Sequence, residues 1–276
     1  MGLFDKLKRN QKTPQSAIEP QPNTGVILLF DRPDIEHKEF EIAIAQNYGE
    51  HAILQIDTNS PSCIHLMLHI DGMDVVCSYM PFALPPEEAD FPTLFGMNYC
   101  ISDEERKALA EQKSFCILTE LGGGSTLAGK RAVCIMLTKL CGCLLRMEGA
   151  LGVYYNAANL LIGRTVYQKY AAVAEQEGAD SDGFPTILWI LVYQTHSEDG
   201  THTIETCGLE QFGFLELVFY KPTEEWSQSF EKLYMMSTLQ ITEKELYKNR
   251  DTICFTKDNL SIFKANGKKL AVIGGI

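Results

Sequence analysis

The 276 residues contain no uninterrupted apolar run approaching the roughly 20 needed to span a bilayer. Charges at Asp5, Lys6, Lys8 and Arg9 also stand where the apolar stretch of a signal peptide would lie. Both absences predict a chain that is neither secreted nor stably inserted in a membrane. Positive charge is scarce as well: 24 Lys and Arg face 36 Asp and Glu, for a net charge of -12. Residues 1–24 hold Lys6, Lys8, Arg9 and Lys12 against Asp5 and Glu19, which leaves -14 on the rest. A body of that sign repels phosphate backbones, so no nucleic acid is expected as a partner through a general basic surface.

A secreted disulfide framework is missing too. The nine cysteines are odd in number and sit mostly inside apolar runs (Cys116, Cys134, Cys141, Cys143), a pattern that predicts free thiols in a reducing cytoplasm. Neither G-x-S-x-G nor H-E-x-x-H occurs, so no catalytic residue is assigned. Cys141 and Cys143 lie two apart on a predicted helix and face different ways. His65 and His69, four apart on a predicted strand, would stand roughly 13 Å from one another. Neither pair predicts a metal, and no cofactor is expected.

What is present is apolar residue in quantity: 45 % of the chain, enough for a real core. The organising stretch is 114–156. It reads as a buried strand (SFCILTEL), a glycine loop (LGGGS), a long apolar helix (TLAGKRAVCIMLTKLCGCLLRMEG) and an aromatic reversal (ALGVYYN). The helix is predicted to pack on a sheet containing 25–30 and 114–120, with Lys130, Arg131, Lys139 and Arg146 at its wetter positions. Before it, GVILLF is an apolar strand, and Pro33 and Asp34 open a helix carrying Phe40, Ala43, Ile44 and Tyr48, which Gly49 stops. Asp71-Gly72 signals a two-residue hairpin. That register sets Ile64, Leu66, Leu68 and Ile70 on one face with Met73, Val75, Cys77 and Tyr79, and turns His65 and His69 to the other. Residues 81–99 read as a Pro-rich loop, and Ser102 with Glu105 as a capping box.

Further on, hairpins are predicted at Asp199-Gly200 and Asn266-Gly267. Pro222 and Thr223 open a helix whose stripe is Trp226, Phe230, Leu233 and Tyr234. Upstream of everything, MGLFDKLKR sets Leu3, Phe4 and Leu7 opposite its lysines, and 10–24 is rich in Gln, Pro, Asn and Thr. The fold class is α+β, with antiparallel-rich sheets and packed helices arranged as two ferredoxin-like sandwiches in tandem. The expected divisions are a tail and linker (1–24) and two α+β halves (25–148 and 149–276).

Three groups of residues invite a functional reading. GSTLAGKR satisfies G-x-x-x-x-G-K between a strand and a helix, so Gly124, Gly129 and Lys130 form a candidate phosphate loop. Arg131 stands where the magnesium-binding Ser or Thr should be, and the only candidate partner aspartate, Asp31, precedes the loop. Glu205, Glu210 and Glu216 cluster in sequence around Cys207–Gly213 as possible carboxylate chemistry. Finally, the aromatic reversal at Tyr154 and Tyr155, together with Glu210, Phe212 and Glu216, is a candidate for ligand or partner recognition.

GVYYNAANLLI and the pattern Thr206, Gly208, Leu209, Phe212, Gly213, Glu216 and Leu217 resemble, as a pair, the bacterial domain-of-unknown-function family 4261. Tyr155 stands where that pattern commonly has Trp. The likeness is specific from about 149 to 219 and implies a bacterial cytoplasmic protein with no assigned activity. The resulting expectation is a non-catalytic protein-interaction or regulatory domain with a protein partner. The alternative is a phosphate-ligand or nucleotide-binding enzyme that uses the glycine loop at 122–131.

Overall fold

The computed structural model describes residues 24–57, 63–98, 101–122, 124–177, 184–196, 202–220, 225–243, 247, 252–256, 259–266 and 269–273. At 176–177, 252–256, 259–266 and 273 it describes the backbone alone. The tail and linker expected over 1–24 lie outside the described residues except for Thr24.

β1 (Thr24–Phe30), α1 (His37–Tyr48), β2 (Ile53–Asp57), β3 (Ile64–Ile70) and β4 (Met73–Met80) come first. They are followed by α2 (Phe91–Met97), α3 (Asp103–Ala110), β5 (Ser114–Glu120), α4 (Leu127–Leu144), β6 (Ala150–Tyr155) and β7 (Leu160–Gly163). α5 (Arg164–Glu177), β8 (Leu191–His196), β9 (His202–Cys207), β10 (Glu216–Tyr220), α6 (Trp226–Glu243), β11 (Thr252–Thr256), β12 (Asn259–Asn266) and β13 (Lys269–Ile273) complete the chain. The class is α+β, as the periodicity predicts.

Local chemistry sets several of these elements. Asp71 (φ 52°) and Gly72 (φ 77°) both adopt the left-handed conformation that a tight hairpin demands, and Ile70 pairs with Met73 in the predicted register. Ser102 Oγ accepts from the Glu105 amide at 3.2 Å while the Glu105 carboxylate accepts from the Ser102 amide, closing the predicted capping box. Within the expected Pro-rich loop, Asp90 accepts from the Thr93 amide and hydroxyl, and Pro92 sits in the first turn. A helix therefore forms there, because proline is compatible with a first turn whose amides need no intrahelical partner.

The strands make two sheets. One has seven strands in the order β2-β3-β4-β5-β1-β6-β7, antiparallel throughout. The other has six in the order β11-β12-β13-β10-β9-β8, with β10 and β13 parallel. β8 pairs with β9 and β12 with β13, as the hairpin signals predict, although the turns at 197–201 and 267–268 lie outside the described residues.

The arrangement departs from tandem sandwiches in two ways. β1 and β2, joined through α1, have β5, β4 and β3 between them, where a split βαβ sandwich would have a single strand. In addition, β6 and β7 cross the expected boundary at 148/149 to complete the first sheet. One buried cluster then runs through both sheets, from Leu28 and Leu118 through Leu137 and Trp189 to Leu217 and Leu270.

α4 is the spine of that cluster. Val133, Cys134, Leu137, Leu140, Cys141, Leu144 and Leu145 are all fully buried, and the helix packs on β1 as predicted. α1 and α5 flank it. On the opposite face of the seven-stranded sheet a second cluster joins Leu29, Phe115, Tyr154 and Leu161 to Leu94 of α2 and Leu109 of α3.

Candidate functional site

The supposed reversal at 150–156 is a strand, and its alternation carries its two tyrosines into different cores. Tyr154 belongs to the cluster under α2 and α3, and Tyr155 to the main one; each is 3 % exposed. The Tyr155 ring meets Trp189 edge-to-face at 4.9 Å, and its hydroxyl donates to Gln211 Oε1. Gln211 Nε2 donates to the Trp189 carbonyl at 3.3 Å, and Trp189 Nε1 to Thr138 Oγ1 at 2.9 Å. Neither tyrosine presents its ring to a partner. The expectation failed because a sheet packed on both sides leaves no solvent-facing side for an aromatic residue on a central strand.

The second motif meets the first at this joint. Gly208 (φ 116°) and Gly213 (φ 83°) bracket a 3-10 turn, Leu209–Phe212. A side chain at Gly208 would strike the Trp189 carbonyl at 2.7 Å and Ala158 at 2.9 Å. Leu209 and Phe212 are buried, and Phe212 packs edge-to-face on Phe184 at 5.6 Å. Glu216 Oε1 accepts from the amides of Gly208 (2.8 Å) and Glu210 (3.2 Å), while Oε2 accepts from Thr206 Oγ1 at 2.7 Å. Burial pushes the Glu216 carboxyl above its ordinary range, and these donors oppose that rise. Of the five recognition candidates, Phe212, Tyr154 and Tyr155 are buried and Glu216 is spent on the turn's amides. Glu210, like Glu216, keeps partial exposure.

The glycine loop is closed from beneath. Thr126 caps α4 by accepting from the Gly129 amide at 3.1 Å, so that donor is already used. Lys130, expected at a wet position, is fully buried, and its Nζ donates to Thr24 Oγ1 at 2.7 Å. Burial lowers the Lys130 ammonium below its ordinary value, and Cys134 and the buried Glu120 draw it back up. The reason is positional: Lys130 lies on the sheet-facing side of α4, above the start of β1 and the end of β5, where two polar partners wait. Arg131 and Lys139 are half-buried and Arg146 is exposed, as expected of them.

The carboxylate cluster does assemble in part. Lys269 on β13 forms an ion pair with Glu205, to which the Tyr193 hydroxyl donates at 3.3 Å and Thr203 Oγ1 at 2.9 Å. Beside them the Cys207 thiol is pushed up to about 12, by burial and then by Glu216, Glu210 and Glu205, with Lys269 opposing. A thiol so disfavoured as thiolate is a poor nucleophile near neutral pH. Among the described residues no group of three or more His, Cys, Asp and Glu side chains is placed to hold a metal. Nor is any helix there long and apolar enough to cross a membrane.

One surface remains, and only its histidines were singled out in the sequence. Three cross-strand rows lie on the α2/α3 side of the seven-stranded sheet. Leu29, Phe115 and Met80 form the row nearest those helices and join their cluster. The next row runs Ile27, Ile117, Ser78, His65 and Asp57; the one after it runs Gly25, Thr119, Val76, Met67 and Gln55. α2 and α3 make their strongest sheet contacts with β6 and β7, at the far side. Ile117, Val76 and Met67 are therefore only partly buried, and Val76 and Met67 belong to neither core cluster. His65 Nδ1 contacts Ser78 Oγ at 2.9 Å, and His69 meets Asp74 at 2.7 Å on the bordering row.

No family model matches this chain, and neither a curated protein nor a solved structure was found similar to it. The resemblance to family 4261 therefore rests on the two motifs, which meet at the joint between Tyr155, Trp189 and Gly208.

Proposed function

We propose that this chain is a non-catalytic protein-interaction domain, acting in a reducing cytoplasm, that engages a protein partner through the uncovered rows of its seven-stranded sheet. The observation that carries the reading is that partly exposed Val76 and Met67, outside both core clusters, continue from Ile117 at the edge of a helix-covered apolar face. A sheet face with several apolar side chains in adjacent rows is costly to leave in water, and such patches mark interaction sites. The free thiols of the seven cysteines whose side chains are described support the compartment. The buried Lys130 and the used Gly129 amide remove the main support for a phosphate ligand.

The test is affinity capture from the native host with the full chain, its Val76→Lys variant and, as a control at a distant exposed apolar position, Ile42→Lys. A specific partner should be retained by the parent and the control and lost with Val76→Lys, while the three proteins melt alike. A partner indifferent to Val76→Lys would sink the proposal.

A further inference from the structure

The uncovered rows also carry a charge pattern that narrows the partner. Between Lys38 and Arg106 the chain has no lysine or arginine, yet it has twelve Asp and Glu residues. That stretch supplies α1, on the opposite side of the sheet with Glu39 and Glu41, and then β2, β3, β4, α2 and the start of α3, which are the open face and its surroundings. On the face itself Asp57 ends one row and Asp74 borders the other, and none of its positions is Lys or Arg. The partly exposed Val76 and Met67 lie next to those carboxylates on β4 and β3, and Ile117 beyond them on β5.

The layer beside it shows what kind of element fits. α2 and α3 already lie on this face, burying Leu94 and Leu109 against Leu29 and Phe115, with Met80 of β4 packed against their cluster and Val76 and Met67 outside it. Exposed Phe82 is stacked edge-to-face on Phe115 at 5.6 Å, on the row that the helix cluster already covers. A further helix laid beside this pair would continue the layer, with apolar residues on Val76, Met67 and Ile117 and cations toward Asp57 and Asp74.

We infer that the open face receives a cationic amphipathic helix from a partner protein. The inference rests on the interaction reading above and adds the sign and shape of the partner segment. Apolar contact supplies the affinity, and the acidic surroundings select against acidic segments and speed encounter with basic ones.

The probe is a fluorescent amphipathic peptide of leucine and lysine, with a glutamate-for-lysine counterpart, titrated into the full chain by anisotropy. The lysine peptide should bind, and its affinity should fall by about tenfold on moving from low to high salt. It should fall comparably for the charge-neutral double change Val76→Gln and Met67→Gln, and more modestly for Asp74→Asn, provided these variants melt like the parent. Equal or tighter binding of the glutamate peptide overturns the inference, as does lysine-peptide binding that ignores the Val76 and Met67 changes. If the captured partner is lost with Val76→Lys but the lysine peptide does not bind, the cationic helix is wrong and the interaction reading stands. If Val76→Lys affects neither, both fall.

Discussion

Two glycine-bearing turns in this chain invert what their sequences suggest. GSTLAGKR has the spacing of a phosphate-cradling loop, yet its lysine turns inward to Thr24 and its Gly129 amide is taken by Thr126. CGLEQFGFLE has no such spacing, yet it builds an anion-binding concavity from the amides of Gly208 and Glu210. The chain fills that concavity with its own Glu216 carboxylate. The difference is one of direction: spacing determines which groups are near one another, and only packing decides whether they point at solvent or at the core.

The strongest way to break the comparison is Lys130→Ala. If the ammonium is the cation of a buried polar group, its removal should cost about 3 to 5 kcal/mol, because Thr24 and the buried Glu120 remain in the interior. Lys139→Ala, on the half-buried flank of the same helix, should cost under about 0.5 kcal/mol. Urea denaturation of the pair decides it, and equal small effects would return Lys130 to the surface.

Glu216→Ala should come next, at about 2 to 3 kcal/mol, since the amides of Gly208 and Glu210 lose a charged acceptor. Formate should restore part of the variant's melting temperature while leaving the parent unchanged; no restoration would mean that the emptied turn collapses instead of persisting as an anion site. The smallest effect expected is none: millimolar ATP with magnesium should not move the parent's melting temperature. A site at 100 times its dissociation constant would add about 2.7 kcal/mol, so even modest binding at the glycine loop would be visible.

Legibility in the sequence followed how local the cause was. The Asp71-Gly72 hairpin and the Ser102–Glu105 box depend on residues within a few positions and were readable to the register. The burial of α4 and its packing on β1 followed from its uncharged run. Lys130 was misread because its partner Thr24 lies at the other end of the half, joined only through the sheet. Tyr154 and Tyr155 were misplaced because a strand covered on both faces has the same letters as an aromatic turn. β2 escaped notice because, as an edge strand with a bulge at Ile53–Gln55, it exposes Leu54 and Ile56 and lacks clean alternation. Of the open face, only the outward turn of His65 and His69 could be read in advance; where α2 and α3 stop was a matter of tertiary packing.

The placement of β1 has a consequence for how the chain must be made. Leu28 pairs with Cys116 on one side and Val153 on the other, so β1 is made well before either of its neighbours. Until Glu120 has been synthesised, TGVILLF is an apolar strand with two open edges in the company of other nascent chains, and one edge stays open until β6 follows. A ribosome stalled before that point would expose a segment suited to a holdase chaperone, and a gene cut at 148 would encode a protein whose central strand lacks one of its two neighbours.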